Sequence, residues 1–165
     1  MTDKTTPVWR STKTYTRSVG LSVCYRNWKA KDTHCSKLHG YALEVSFAFE
    51  ATELDERNFV VDFGGLKNLK GWLENIFDHK CMVAEDDPER ALFDAMHARG
   101  LIDMIEMPSV STERFAELIY EYTEQWLIDA GFGPRCSLVS VEVRDHESNS
   151  AVFFKRDQNE SVLRV

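Results

Sequence analysis

Between Tyr41 and Thr52 the chain alternates apolar and polar residues almost without a break. Leu43, Val45, Phe47 and Phe49 fall on one side, Glu44, Ser46 and Glu50 on the other. Side chains of an extended strand point to opposite faces in turn, so this stretch predicts a strand with one face in a core. A helix would scatter the same residues around its circumference. Such a strand needs neighbours for its backbone and a layer over its apolar face, which makes a covered sheet the minimum architecture.

The remaining segments supply those parts. Lys13–Tyr25, rich in Thr, Tyr, Ser and Val, predicts a second strand, joined to the first by the polar loop Arg26–Leu38. Leu66, Leu69, Leu73 and Ile76 recur at helical spacing and predict a helix from about Gly64 to Phe77. Ser111 reads as the N-cap of another helix, with Glu113 in its first turn and an apolar stripe of Phe115, Leu118, Ile119, Tyr122 and Trp126. Gly131 is its natural stop. Both stripes read as core, not cofactor surface. Ser137–Arg144, with Val139, Val141 and Val143 on one face, and Ala151–Lys155 read as a closing hairpin across a short Ser/Asn turn. Residues from about 83 to 107 read as an insertion, its Pro88–Arg99 half a short helix. The expectation is one α+β domain over residues 1–165. Its four-stranded antiparallel sheet carries two helices packed on one face, in ββααββ order.

Composition removes several function classes. The net charge of -7 argues against a general nucleic-acid binder, which needs a basic footprint. No stretch has the apolar length of a membrane span, and Met1–Arg10 is polar with no signal-peptide pattern. Cys24, Cys35, Cys81 and Cys136 are scattered, with no CxxC pair, which points to a reduced, cytoplasmic protein. Charge is nevertheless uneven: Arg26, Lys29, Lys31 and Lys37 face only Asp32 within Arg26–Lys37. Two readings stand for that cluster, an attractor for a phosphorylated substrate or an ordinary solvated loop.

Cys35-Ser36-Lys37-Leu38-His39-Gly40-Tyr41 is the chemically dense stretch. It sets a thiol at a loop-to-strand junction, where reactive groups are commonly mounted. Nearby positive charge lowers a thiol pKa and makes the thiolate a base or nucleophile, and Cys35 lies among lysines with His34 adjacent. Asp78-His79 is a carboxylate–imidazole pair, suited to moving protons near neutral pH. His97 and His146 match no pattern and read as surface residues.

Taken with Asp62-Phe63-Gly64-Gly65-Leu66-Lys67, Ser111-Thr112-Glu113 and a carboxylate at Asp145 six residues before Ala151, these blocks resemble the 6-pyruvoyltetrahydropterin synthase / 6-carboxytetrahydropterin synthase family. The resemblance runs from about Leu21 to Ala151 and implies the tunnelling fold (T-fold). In that fold, subunits join sheets into a barrel, trimers stack into hexamers, and active sites form between subunits. It implies Cys35 as base, Asp78 and His79 as proton relay, and Ser111, Thr112, Glu113 and Asp145 on the pterin side. A carboxylate at Asp145 can accept parallel N–H bonds from a 2-aminopyrimidinone ring. The substrate class implied is a dihydroneopterin triphosphate, undergoing triphosphate elimination or side-chain cleavage. The short loop before Cys35 is similar to the 6-carboxy branch that feeds deazapurine (queuosine) synthesis.

The chain departs from the family at its metal. The resemblance implies zinc held by three histidines; here only His39 is kept, and Tyr25 and Tyr41 stand at the other two positions. Phenols are poor zinc ligands, with a pKa near 10, and one imidazole does not hold the ion. His34 is the one candidate substitute. Three readings follow: a pterin lyase of the family type, a non-catalytic zinc-free pterin- or purine-binding paralogue, and Cys35 chemistry on another pterin without metal. In the zinc-free readings Tyr25 and Tyr41 fill the metal's space, with their hydroxyls bonded together.

Overall fold

The computed structural model describes residues 6–156, so part of the polar Met1–Arg10 stretch lies outside the described residues. The alternating segment is the long strand β3 (His39–Ala51), and Leu43, Val45, Phe47, Phe49 and Ala51 are all buried. Two strands precede it, β1 (Trp9–Tyr15) and β2 (Leu21–Tyr25), both antiparallel to β3. They replace the single strand expected over Lys13–Tyr25. Tyr15 pairs with Val45 and Leu21 with Leu43, so Thr16–Gly20 bulge out opposite Glu44 alone. That excess is coiled into a 3-10 turn at Arg17–Val19. It closes on Gly20 at φ 84, a left-handed conformation that costs glycine little.

After β3 the chain forms a 3-10 turn at Phe63–Leu66, started by Asp62, whose carboxylate accepts from the Gly64 N–H at 2.8 Å. Helix α1 (Lys67–Phe77) continues from it. Strand β4 (Lys80–Ala84) then pairs parallel with β2, helix α2 (Arg90–Ala98) crosses over, and strand β5 (Asp103–Met107) pairs parallel with β4. Helix α3 (Thr112–Asp129) follows, capped by the Ser111 hydroxyl on the Arg114 N–H and stopped at Gly131, φ 77. Strands β6 (Cys136–His146) and β7 (Asn149–Phe153) close the chain as an antiparallel hairpin, β6 pairing with β3.

The sheet therefore has seven strands in the order β5-β4-β2-β3-β6-β7, with β1 also on β3. This corrects the four-stranded, wholly antiparallel sheet and the two-helix ββααββ order. The stretch read as an insertion supplies α2 and β5 and continues directly from β4, although the helix expected within Pro88–Arg99 is present. Cys81, Met82, Val83 and Ala84 are all buried, so β4 is a continuous apolar run covered on both faces and carries no alternation to read.

Burial separates two cores. Leu69, Leu73 and Phe77 of α1, on the β2–β4 side, and Phe115, Ala116, Ile119 and Leu127 of α3, on the β6–β7 side, cover one face of the sheet. Trp72 and Tyr122 stack between the two helices at 3.7 Å. Phe93 of α2 packs on Cys81 and Val83, whereas Met82 and Ala84 of the same strand belong to the main core. Alternate residues of one strand face opposite ways, so α2 lies on the other side of the sheet. In β6, Ala48 pairs with Ser140 and Phe49 with Leu138, leaving Val139 over. This bulge shifts the alternation: Leu138, Val141 and Val143 point inward, and Val139, expected among them, does not reach the core.

Candidate functional site

A cavity of about 400 Å³ opens where the end of β2, the start of β3, the start of α3 and the β6–β7 hairpin meet. Tyr25 ends β2 and pairs in register with His39, and Tyr41 lies two residues along on the same side of β3. Their rings converge: Tyr25 to His39 is 5.2 Å, His39 to Tyr41 is 5.1 Å and Tyr25 to Tyr41 is 6.2 Å between centroids. Phe115 holds Tyr25 from behind, edge-on at 5.0 Å. The His39 Nδ1–H donates to the Lys37 carbonyl at 2.6 Å, which leaves Nε2 as the free acceptor.

Asp145 sits where β6 slips against β7, since Arg144 pairs with Ser150 and His146 with Asn149. An unpaired residue at such a slip can turn its side chain out of the ladder. The Tyr25 hydroxyl and the Thr112 hydroxyl both donate to Asp145 Oδ2, each at 3.1 Å. Oδ1 is buried and has no hydrogen-bond partner among the described residues. A buried carboxylate oxygen without a donor is costly, and Asp145 is part of the wall of a cavity large enough for a small ligand. Burial is the main cause of a raised Tyr25 pKa. The negative charge of Asp145 adds to the rise, and Thr112 partly offsets it. The phenol therefore stays protonated and remains a donor.

Cys35 lies on the same cavity, exposed, in a 3-10 turn at His34–Ser36. Thr33 caps that turn by accepting from the Cys35 N–H at 3.2 Å, and the Asn27 N–H donates to the Cys35 carbonyl at 2.8 Å. Ser111, Thr112 and Glu113 also line the cavity, though the Ser111 hydroxyl is engaged as the α3 cap. Residues the sequence reading had not singled out, among them Asn27, Thr33, Asn149 and Ser150, complete the wall. The Ser/Asn turn signal had marked the last two only as a connection.

Asp78 and His79 stand apart from this group. His79 Nδ1 is 2.6 Å from Asp78 Oδ1, but its side chain is 85% exposed and it borders a different cavity, with Cys24, Gly40 and Cys81. His34 is exposed and off the lining of the Asp145 cavity. The lysine-rich loop is also less positive than its sequence implies. Arg26 forms a paired bond to Asp87 and Lys29 bonds Asp86 at 2.6 Å, both acids coming from the β4–α2 connection.

The donor set does not fit zinc. The ion takes imidazole, thiolate or carboxylate ligands. Among the described residues, no group of three or more His, Cys, Asp or Glu side chains could hold a metal ion. The Tyr25 hydroxyl bonds Asp145 and Thr112, not Tyr41, which corrects the expected bond between the two tyrosines.

On a mixed α+β layer, one cavity thus gathers the half-buried Asp145 carboxylate, the Thr112 hydroxyl bonded to it and the exposed Cys35. The family model for 6-pyruvoyl tetrahydropterin synthase matches residues 14–156, and the chain belongs to that family. It is 27% identical to the 6-carboxy-5,6,7,8-tetrahydropterin synthase of Aquifex aeolicus over 150 residues, 88% of each chain. It is 45% identical to the Rickettsia bellii protein of the same name over 58 residues, 33% of this chain and 41% of that relative. Among solved structures, the fold is similar to an uncharacterized protein from Wolinella succinogenes. The TM-score is 0.75 at 17% identity, covering 91% of this chain and 99% of that one. The 6-pyruvoyl tetrahydropterin synthase of Plasmodium vivax gives 0.66 at 16% identity, over 92% and 99% of the chains. The fold is thus the T-fold of these synthases. Among the described residues, no helix is long and apolar enough to cross a membrane.

Proposed function

We propose that the Asp145 cavity binds a reduced pterin and that the chain acts as a lyase on the pterin side chain, in the manner of a 6-carboxytetrahydropterin synthase. The observation that carries this is Asp145, a residue of the cavity wall whose Oδ1 is buried and lacks a hydrogen-bond donor among the described residues. Tyr25 and Thr112 fix the carboxylate through Oδ2, so Oδ1 is held ready for a ring N–H. Cys35, across the cavity, is the base that removes a proton from the side chain. Asp78 and His79 do not reach Cys35 within one chain, so in this reading the partner subunit's His79 completes the proton relay in a trimer or hexamer. The substrate is of the dihydroneopterin triphosphate type, and the 6-carboxy relatives favour the deazapurine (queuosine) branch, in the cytoplasm. In the family, zinc supplies Lewis-acid polarisation of the side-chain oxygens; the residues here offer no fitting ligand set, and no step is assigned to it.

The Tyr25–Asp145 bond favours a second reading, a zinc-free pterin- or purine-binding paralogue without turnover. Calorimetric titration of a reduced pterin, with turnover measured with and without added zinc, separates the two. Asp145→Ala should lose about 30- to 1,000-fold in affinity, the equivalent of roughly 2–4 kcal/mol for an unpaired charged hydrogen bond. Cys35→Ala should keep binding and lose turnover. Equal binding by wild type and Asp145→Ala would end the pterin reading. Binding without turnover under every condition would leave the paralogue.

A further inference from the structure

Two thiols that the pterin chemistry does not use face each other across the sheet. Cys24 of β2 and Cys81 of β4 are direct partners in the parallel ladder, and both are free. Adjacent strands lie about 4.8 Å apart, inside the roughly 4.4–6.8 Å range of Cα separations that a disulfide spans. Ladder partners project to the same face, and both residues belong to the small second core beneath α2. A hydrogen bond from Cys81 is the main cause of a Cys24 pKa lowered to about 7, while the same bond and burial push Cys81 up.

Access is one-sided. Cys81 is 1% exposed, whereas Cys24 is only partly buried. A cavity of about 260 Å³ borders both, together with Gly40, His79 and Lys80. Gly40 is the ladder partner of Cys24 on the β3 side, and a Cβ there would lie 3.6 Å from the Cys24 Cβ. A side chain at that position would stand over the thiol; glycine leaves the approach open.

We propose that Cys24 and Cys81 are a site of reversible thiol oxidation, closing a disulfide between β2 and β4 when the protein meets a low-molecular-weight disulfide. Cys24 thiolate attacks one sulfur of the oxidant, forming a mixed disulfide and releasing one thiolate. Cys81 then attacks Cys24 Sγ, its proton passing to the departing sulfur of the oxidant, which forms the protein disulfide and releases the second thiol. The two protein thiols are oxidised and the oxidant is reduced to two thiols. The clasp ties the strand carrying Tyr25 to the one that follows His79, and it rests on no assumption about the ligand.

The test is incubation of the folded full-length protein with oxidised glutathione, followed by thiol titration after denaturing and by peptide mapping. In Cys35→Ser, which lacks the exposed thiol that glutathione could also modify, two of the three remaining thiols should disappear, a Cys24–Cys81 cross-linked peptide should be found, and dithiothreitol should restore both. In the same background, Cys81→Ser should stop at one glutathione on Cys24, and Cys24→Ser should leave Cys81 reduced. All three thiols retained in Cys35→Ser, a stable glutathione adduct on wild-type Cys24, or a wild-type cross-link that uses Cys35 would each overturn the proposal.

Discussion

Asp87→Ala should be among the most destabilising single changes in this protein, because it strips the half-buried Arg26 guanidinium of the buried carboxylate that pairs with it. The Asp87 side chain is 1% exposed and the Arg26 side chain 20%. Arg26 Nε donates to Oδ2 at 2.9 Å and an Nη donates to Oδ1 at 2.5 Å, while the Glu89 N–H donates to Oδ1 at 2.9 Å. Burial by itself would raise the Asp87 pKa, but the Arg26 hydrogen bond, the Glu89 N–H and the Arg26 charge outweigh it and hold the carboxyl below its usual range. Removing one partner of a buried pair costs about 3–5 kcal/mol. With an m-value of about 2 kcal/mol per molar, that is a midpoint shift of roughly 1.5–2.5 M in urea. The measurement is urea unfolding at a fixed protein concentration, since an oligomer's stability depends on it. Replacing both partners by apolar residues, Arg26→Met with Asp87→Leu, should recover most of the loss. A depressed carboxylate pKa adds stability that is fully present above about pH 4 and is lost as pH falls through the folded value, so wild type should lose this increment on acidification and Asp87→Ala should not. A loss below about 1 kcal/mol, typical of a surface pair, would refute the reasoning.

Purified protein should carry far less than one zinc per chain by elemental analysis, whereas Tyr25→His/Tyr41→His should gain a chelator-resistant metal, because His39 already presents Nε2. Stoichiometric zinc in wild type would overturn the donor argument. Light scattering at micromolar concentration should give a trimer or hexamer, since β1 and β7 are open edges of the sheet; a monomer would remove the shared site. Tyr25→Phe should weaken pterin binding by about 5- to 30-fold, through loss of one donor that holds Asp145, and unchanged titration curves would show that Tyr25 does not position the carboxylate.

The sequence by itself determined what depends on local periodicity and local capping. Alternation alone places Leu43, Val45, Phe47 and Phe49 inward, helical spacing places Leu69 and Leu73, and the Ser111 cap and Gly131 stop bound α3. The Cys35–Gly40 block was legible for the same reason: its spacing is fixed along one short segment. Only the tertiary structure decided the rest. Strand β4 is buried on both faces and has no period; the Thr16–Gly20 excess and the extra Val139 appear only when a partner strand sets the register. Tyr25 meets Asp145 across 120 residues, and Asp78-His79 is turned away from Cys35 in the same chain. Identity and spacing state which groups are present, but not which sheet edge brings them together. The meeting of Tyr25 with Asp145 is set by strand order, and strand order is fixed by the joint burial of all the faces at once.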